Sequence, residues 1–151
     1  MLLAESAAQV MHAAAAASHP LETGGILVGV YVRGQPWVTA AIEIPSEERG
    51  VGHYRLPGRT TRAAVIKAQR TDSRVGYLGD WHSHPRDIGP SAIDIGSLAM
   101  MTMAHIATPN PLLIVVRRRD CAYALDVRRM RLGVPISCAV TLSGDLSPEQ
   151  H

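Results

Sequence analysis

Two histidines and an aspartate near the middle of the chain carry side chains that bind metal ions. His82 and His84 are separated by a single residue, and Asp94 follows soon after. Side chains two positions apart on a β-strand leave the same face, so the two imidazoles would project side by side. Two imidazoles and one carboxylate leave the fourth tetrahedral position of a zinc ion open, as in catalytic rather than structural sites. We therefore predict that His82, His84 and Asp94 bind one catalytic Zn²⁺.

The residues between the histidines and the aspartate favour a strand that is followed by a helix. Pro85 would end the strand, and after a polar loop Ser91 would cap a helix that carries Asp94 in its first turn. Each half of this pattern alone has a structural explanation, because His-x-His pairs occur on strands by chance and Ser91 with Asp94 satisfies a capping box. Their occurrence together in one short segment favours a metal site where the strand ends and the helix begins.

Two segments of the sequence resemble a known family of metalloproteases. Residues 82–85 (HSHP) and 90–94 (PSAID) resemble the JAMM motif of MPN-domain, or prokaryotic JAB, metalloproteases, and residues 22–29 (ETGGILVG) resemble the first strand of that family. The order of the predicted elements is similar over roughly residues 1–130. The loop between His84 and Asp94 is one residue shorter than in many members, and a loop at this place tolerates such a change.

The resemblance implies a fold and further catalytic residues. The fold would be cytidine-deaminase-like, although the deaminase signature H-x-E with P-C-x-x-C is missing, as is the H-E-x-x-H of helical zinc proteases. Glu22 matches the glutamate that accepts the proton of the attacking water and delivers one to the leaving amine. Without the resemblance, Glu22 is more simply explained as a charged residue at a strand end. Ser91 matches the serine that donates a hydrogen bond to the oxyanion, a role compatible with capping the helix.

The resemblance also implies a substrate class. Members with an intact motif cleave the isopeptide bond between ubiquitin, or a ubiquitin-like protein, and a lysine. Compact bacterial members accompany ubiquitin-like conjugation or antiphage operons with E1-like and E2-like partners. The extended C-terminal tail of the modifier would pair with an exposed strand edge near the metal, with the loop 46–58 as a flap. The alternatives are a peptidase for a ubiquitin-like or sulfur-carrier precursor, a non-catalytic MPN scaffold and, least supported, a RadC-like role in DNA metabolism.

Composition bounds the remaining classes of function. The chain has 151 residues, of which 46% are hydrophobic and 19% charged, with a formal net charge of +2. This balance is typical of a globular domain, and the charge does not favour a nucleic-acid or membrane partner. Two cysteines without a CxxC pair argue against a disulfide scaffold, and we expect both to be small buried residues. Since the N-terminus has no basic signal-peptide region, we expect a cytoplasmic location.

The periodicity of the apolar residues predicts an α/β fold with a single mixed β-sheet flanked by helices. We expect one JAMM/MPN domain over residues 1–142 and a flexible tail over 143–151. The loop 46–58 is expected to be mobile. The predicted helices cover residues 2–17, 59–71 and 90–105, and the predicted strands cover residues 26–32, 37–45, 75–84, 111–116, 121–127 and 136–142.

Other residues near the motif have weaker signals. Asp80 shares a face with His82 on the predicted strand, where it would orient a ligand imidazole or simply be an edge charge. Trp81 would point to the opposite face and into the core. The methionine cluster Met100, Met101 and Met103 is explained by helix packing.

Overall fold

The computed structural model describes residues 1–104, 107–108 and 110–146, which fold around one eight-stranded mixed sheet. Three helices of this described part pack on the sheet, so the predicted α/β class is confirmed. The helices are α1 Glu5–Ser18, α2 Gly58–Thr71 and α3 Ala92–Ala104. The strands are β1 Leu2–Ala4, β2 Gly24–Val32, β3 Gln35–Glu43, β4 Gly76–His84, β5 Leu112–Arg119, β6 Ala122–Arg131, β7 Val134–Ser137 and β8 Thr141–Ser143.

The order of the strands places β4 in the interior of the sheet. The order is β7-β6-β5-β4-β2-β3-β1-β8, so β4 lies between β2 and β5. It pairs antiparallel with β2 and parallel with β5. The strand that carries both histidines is therefore held on both sides by backbone hydrogen bonds, which makes it a rigid support.

Helix α1 covers one face of the sheet. Alanine is the strongest helix former, and alanine supplies most of the buried positions of this helix, which are Ala7, Ala8, Met11, Ala14 and Ala15. The same core cluster contains large side chains of β4 and β5, namely Leu78, Trp81, Leu112, Ile114 and Val116. Trp81 is only 1% exposed, so its predicted place in the core is confirmed.

Helices α2 and α3 cover the other face. Apolar residues of β2 pack against α2, and Leu113 and Val115 of β5 pack against Leu98 and Met101 of α3. Because neighbouring residues of a strand point to opposite faces, His82 projects to this side while Trp81 faces α1. The two histidines thus lie on the face that α2 and α3 share.

A β-bulge in β4 changes which side chains share this face. The pairing of β2 with β4 shifts its register at Gly79, which leaves Leu78 as an extra residue. As a result, Tyr77 and Asp80 lie on one face although they are three positions apart, and the Tyr77 hydroxyl donates a hydrogen bond to Asp80 over 2.8 Å. Gly79 has a φ of +152°, and a Cβ atom there would lie 2.0 Å from the backbone oxygen of Leu112. Only glycine fits this position.

Some predicted element boundaries are wrong. Residues 2–4 form strand β1 instead of the start of a helix, because β1 pairs in parallel with both β3 and β8. The single strand predicted over 136–142 is two strands at opposite edges of the sheet, β7 and β8. Such long-range pairing has no local sequence signal. Ser143, the first residue of the predicted flexible tail, is the last residue of β8. Residues 147–151 of that tail, and His105 of the predicted third helix, lie outside the described residues.

Three apolar side chains expected in the interior are at the surface. Cys121 is exposed in the turn between β5 and β6, whereas Cys138 is partly buried against the core. Met101 is buried, but Met100 is 64% and Met103 is 78% exposed. Apolar composition alone does not decide burial, because much of any protein surface is apolar. Within the described residues, no helix has the length and apolar character needed to cross a membrane.

Candidate active site

The two histidines end strand β4 with their ring nitrogens facing each other. His82 pairs with Gly24 of β2 and with Val115 of β5, which fixes the backbone of the strand at this point. The Nε2 atoms of His82 and His84 are 3.1 Å apart. The side chains of both are only 12% exposed. The structure therefore brings the two imidazoles together as the His-x-His spacing predicts.

The first turn of α3 brings Asp94 to the same point. One carboxylate oxygen of Asp94 lies 3.2 Å from Nε2 of His82, and the other lies 3.6 Å from Nε2 of His84. The N–H of Ser91 donates to the Asp94 carboxylate over 2.6 Å, and the N–H of Asp94 donates to the Ser91 hydroxyl over 3.2 Å. This reciprocal pair is the predicted capping box, and it holds the carboxylate beside the imidazoles.

A backbone carbonyl fixes the tautomer of the neutral His84 ring. The Nδ1 atom of His84 lies 2.7 Å from the carbonyl oxygen of Ile88 in the loop that leads to α3. Since a carbonyl oxygen only accepts, Nδ1 carries the hydrogen, and in the neutral ring Nε2 keeps its lone pair. The lone pair of His84 is thereby directed at the point that His82 and Asp94 also face.

Hydrogen bonds to two other segments of the chain hold Glu22 and its neighbour Thr23 in place. The N–H of Thr23 donates to the hydroxyl of Ser83 over 3.0 Å, and the N–H of Ser83 donates to the backbone oxygen of Thr23 over 2.7 Å. The N–H of Glu22 donates to the backbone oxygen of Gly50 over 2.8 Å. Glu22 is 5% exposed, and its carboxylate and the two imidazoles offer atoms that all lie within 4.8 Å of one another.

The electrostatics of the site favour the metal-binding forms of its side chains. Burial would raise the pKa of Asp94, but the hydrogen bond and charge of His82 and the contacts to Ser91 lower it well below the usual range. Burial lowers the pKa of His84 despite the opposing bond to Ile88. An ionised carboxylate and a neutral imidazole are the forms that bind metal ions.

Two further carboxyl groups of the site have raised pKa values. Burial raises the pKa of Glu22 to about 7 against the opposing charge of His82, and the charge of Asp94 adds to the rise. Burial raises the pKa of Asp80 to about 6, although the hydrogen bond from Tyr77 opposes it. A carboxyl group that titrates near neutral pH is suited to general acid–base chemistry.

These groups line an open cleft of about 590 Å³, within the range of ligand-binding pockets. One wall is a small hairpin over residues 48–55, in which Arg49 pairs with Tyr54 and the N–H of Arg55 donates to the backbone oxygen of Glu48. The Tyr54 hydroxyl donates to the backbone oxygen of Ile44 over 2.6 Å. The loop expected to be mobile is therefore held by hydrogen bonds. The opposite wall comes from the loop after β4 and from Ile93 and Ser97 of α3.

The comparison with known proteins agrees with this geometry. The sequence profile of prokaryotic homologs of the JAB domain matches residues 4–132. The chain belongs to the prokaryotic JAB-domain family.

Two proteins similar to this JAB domain are informative, one in sequence and one in structure. The CD-NTase/cGAS isopeptidase of Escherichia coli (strain TW11681) is 33% identical over 103 residues, which are 66% of this chain and 64% of that protein. The match thus spans less than two thirds of the relative. A solution structure of a protein from Desulfitobacterium hafniense has a TM-score of 0.77 at 20% identity and covers 99% of this chain and 97% of its own. At that identity the likeness shows a shared fold.

Several features of the JAB-domain site had no signal in the sequence. The contact of His84 involves only the backbone of Ile88, so no residue type marks it. The 48–55 hairpin and its link to Glu22 depend on chain packing. The sequence does not decide between two roles for Asp80, whereas in the structure Asp80 accepts a hydrogen bond from Tyr77 and lines the cleft, which excludes a plain edge charge. Among the described residues, β4 is an interior strand, and His82 pairs with both β2 and β5, so the described sheet has no free edge at His82.

Proposed function

We propose that this JAB-domain protein is a zinc-dependent isopeptidase that releases a protein modifier, ubiquitin-like or CD-NTase in type, from a lysine side chain. The supporting observation is the convergence of three groups on one point. The Nε2 atoms of His82 and His84 are 3.1 Å apart, and carboxylate oxygens of Asp94 lie 3.2 Å from the first and 3.6 Å from the second.

These distances fit one tetrahedral metal ion. Two ligand atoms that each lie ~2.0–2.1 Å from a zinc ion are ~3.3–3.4 Å apart when the arrangement is tetrahedral. The two Nε2 atoms are 3.1 Å apart and the nearer Asp94 oxygen lies 3.2 Å from Nε2 of His82, both close to this value, while the other Asp94 oxygen lies 3.6 Å from Nε2 of His84. The fixed tautomer of His84 is a further feature of metal-ligating histidines, whose other ring nitrogen usually donates to an oxygen. We therefore assign these three side chains as the zinc ligands.

Glu22 lies beside this ligand set, since its carboxylate and the two imidazoles offer atoms within 4.8 Å of one another. When bound there, zinc supplies Lewis-acid chemistry and lowers the pKa of a coordinated water toward ~7. Glu22 accepts a proton from the attacking water, whose oxygen forms a bond to the carbonyl carbon of the isopeptide. As the carbon–nitrogen bond breaks, Glu22 delivers the proton to the lysine nitrogen, which leaves as a neutral amine. The other product is the C-terminal carboxyl group of the modifier, which passes its remaining proton to the released amine or to solvent and becomes a carboxylate.

Ser91 is the proposed donor to the carbonyl oxygen during this reaction. Its hydroxyl oxygen accepts the N–H of Asp94, and the hydroxyl hydrogen remains to donate toward the cleft that Ser91 lines. A donor placed at the developing oxyanion stabilises the transition state more than the ground state. Ser91 thus both orients a ligand through the helix cap and contacts the reacting carbonyl.

The cleft suits an extended chain. A modifier tail would lie between the 48–55 hairpin and the start of α3, with the scissile bond above the histidines. Because β4 is an interior strand in the described part of the sheet, strand-like pairing of the tail would use the hairpin. The relative from Escherichia coli is a CD-NTase/cGAS isopeptidase, which supports an isopeptide as the substrate bond.

A cleavage assay with defined conjugates tests this function. The zinc-loaded protein is incubated with ubiquitin and with a CD-NTase, each joined through its C-terminal carboxyl group to the lysine side chain of a peptide. Mass spectrometry of the products is expected to show an intact modifier with a free carboxylate and a peptide with a free lysine. Linear fusions with the same modifier tails serve as precursor substrates. Cleavage of the linear fusions alone would contradict the isopeptidase and favour a precursor-processing peptidase.

The variant Glu22→Gln separates catalysis from metal binding. Gln keeps the size of the side chain but cannot accept the proton, so product formation is expected to fall by at least ~10²-fold while zinc stays bound. The matched control is Glu5→Gln, which changes an exposed glutamate of α1 on the other face of the sheet. Equal rates for the two variants would overturn the assignment of Glu22 as the base.

A further inference from the structure

An ion pair ties the loop after β4 to strand β5. Nη1 of Arg117 lies 3.3 Å from one carboxylate oxygen of Asp87, and Nε of Arg119 lies 3.7 Å from the other. The Arg119 side chain is 67% exposed and that of Arg117 only 28%, so solvent weakens the contact of Arg119 more. Arg86 and Ile88 line the cleft, but Asp87 between them and Arg117 do not. The ion pair therefore lies outside the cleft in which a substrate would bind.

This ion pair lies beside the histidines of the candidate active site. Arg117 is paired with His84 in the parallel ladder between β5 and β4. It follows Val115 by two positions, and Val115 packs on the face that α3 covers. Because side chains two positions apart leave a strand on the same face, the Arg117 side chain lies on the side of the sheet that carries His82 and His84. The loop is thereby attached to the strand next to the two imidazoles.

A tight turn joins Asp87 to the carbonyl group that contacts His84. The N–H of Ile88 donates to the backbone oxygen of Arg86 over 2.9 Å, which closes a three-residue turn with Asp87 at its centre. The carbonyl oxygen of Ile88 in turn lies 2.7 Å from Nδ1 of His84. Since the ion pair holds the centre of the turn, it also limits where the Ile88 carbonyl can lie.

The exposure of this ion pair argues against a role in stability alone. Ion pairs that water reaches contribute little to the free energy of unfolding, because solvent screens the charges and ordering the long side chains costs entropy. The orientation of a metal-ligating histidine is more sensitive, since the oxygen that its second ring nitrogen contacts strongly affects metal affinity. A modest constraint on the loop can therefore have a large effect on metal binding and a small effect on folding.

We propose that Asp87 and Arg117 are positioning residues, which hold the Ile88 carbonyl where it fixes His84 for metal binding. This inference rests on the zinc site of the proposed function and adds two residues that touch neither the metal nor the substrate. Without the ion pair the loop would shift, and Nδ1 of His84 would lose its acceptor for part of the time. The neutral ring would then also adopt the form with its hydrogen on Nε2, which cannot bind a metal ion through that nitrogen.

The zinc affinity of matched variants tests the positioning role. Asp87→Asn and Arg117→Met remove one charge each and keep much of the size of the side chain. Competition with a chelator of known affinity at pH 8 is expected to give both a zinc Kd about tenfold higher than that of the parent, at the lower end of the effect of changing a direct partner of a ligand. Asp87→Glu keeps the charge and should retain most of the affinity. Asp72→Asn is the matched control, because it removes an ion pair with Arg74 whose side chains are 29% and 30% exposed.

NMR of the metal-free protein provides a readout that depends on neither zinc nor catalysis. At pH 8 the nitrogen-15 shifts of the histidine rings distinguish the two neutral forms, and the signals that disappear in His84→Ala identify His84. The parent and Asp72→Asn are expected to hold the hydrogen on Nδ1. In Asp87→Asn and Arg117→Met the form with the hydrogen on Nε2 should reach about a quarter of the population or more, because the opposing hydrogen bond sets the tautomer.

Three results would overturn the positioning role. They are an unchanged zinc Kd in both Asp87→Asn and Arg117→Met, an unchanged tautomer of His84 in these variants, and an equal loss of zinc affinity in Asp72→Asn. Circular dichroism verifies that each variant is folded. If the parent protein binds no zinc, the proposed function fails, and the NMR measurement still decides whether the ion pair fixes His84.

Discussion

The carbonyl oxygen of Ile88 lies 2.7 Å from Nδ1 of His84 and fixes the ring in the form whose Nε2 faces Asp94. The loop after β4 therefore does more than connect the two halves of the motif. It turns back to orient a side chain of the preceding strand and then delivers Ser91 and Asp94 at the start of α3. The end of β4, the loop after it and the start of α3 thus form one unit, and the rigidity of this unit depends on the rest of β4.

The bulge at Gly79 supports that strand. Gly79→Ala is expected to lower the free energy of unfolding by about 2–4 kcal/mol, because its φ of +152° is unfavourable for alanine and the new Cβ would lie 2.0 Å from the backbone oxygen of Leu112. Gly76→Ala on the same strand is the control, since a Cβ at Gly76 would meet nothing within 4 Å. Chemical denaturation of both variants measures the difference. Equal stability of the two would contradict the described path of β4.

Ser91→Ala is expected to lower kcat by on the order of 10²-fold while KM and zinc content change little, because the lost hydroxyl acts on the transition state. Losing the helix cap should also cost about 1 kcal/mol of stability. Steady-state kinetics and metal analysis of the same sample separate the two effects. Ser73→Ala, in the exposed turn before β4, controls for loss of a serine hydroxyl. A Ser91→Ala enzyme with unchanged kcat would show that the oxyanion has another donor.

The pKa of Glu22 predicts how the stability of the metal-free protein depends on pH. In the folded chain this pKa is about 7, against an ordinary value of 4.5 for a glutamate side chain, so between these values the folded state binds more protons than the unfolded state. The stabilisation that protonated Glu22 contributes is complete below pH ~4.5 and is lost as the pH rises through ~7.

Glu22→Gln removes this dependence. In the presence of a chelator, the variant is expected to be as stable as the parent at low pH and more stable at pH 8, by on the order of 1–3 kcal/mol. The titrations of His84 and Asp80 occur in both proteins and cancel in the difference. Urea denaturation at pH 5 and pH 8 provides the two values. A difference that stays constant between these pH values would show that Glu22 is not desolvated.

The sequence predicts the local parts of the site and misses those that depend on chain packing. His82 and His84 follow from the period of a strand, and Ser91 with Asp94 follows from helix capping, so the structure places all four as expected. The Ile88 carbonyl carries no residue-type signal. The sequence does not predict the surface positions of Cys121, Met100 and Met103, because the apolar character of a side chain does not by itself decide whether it is buried.

The order of the strands in the sheet is a second feature that the sequence does not predict. Residues 2–4 were predicted as helix because the alanines that follow dominate the local pattern, whereas parallel pairing with β3 and β8 decides their conformation. For the same reason, the sequence does not predict that β4 is an interior strand of the described sheet, with no free edge at His82. Local propensity is a weak guide wherever partners far along the chain compete for the same residues.

Metal analysis of the purified protein after equilibration with zinc shows whether His82, His84 and Asp94 together hold one metal ion. Inductively coupled plasma mass spectrometry should find one zinc per chain in the parent protein and in His19→Ala, which removes an exposed histidine beyond α1. His84→Ala and Asp94→Ala should each retain less than a tenth of that zinc while remaining folded by circular dichroism. A parent protein that holds no zinc, or ligand variants that hold as much zinc as the parent, would show that these three residues do not form a zinc site.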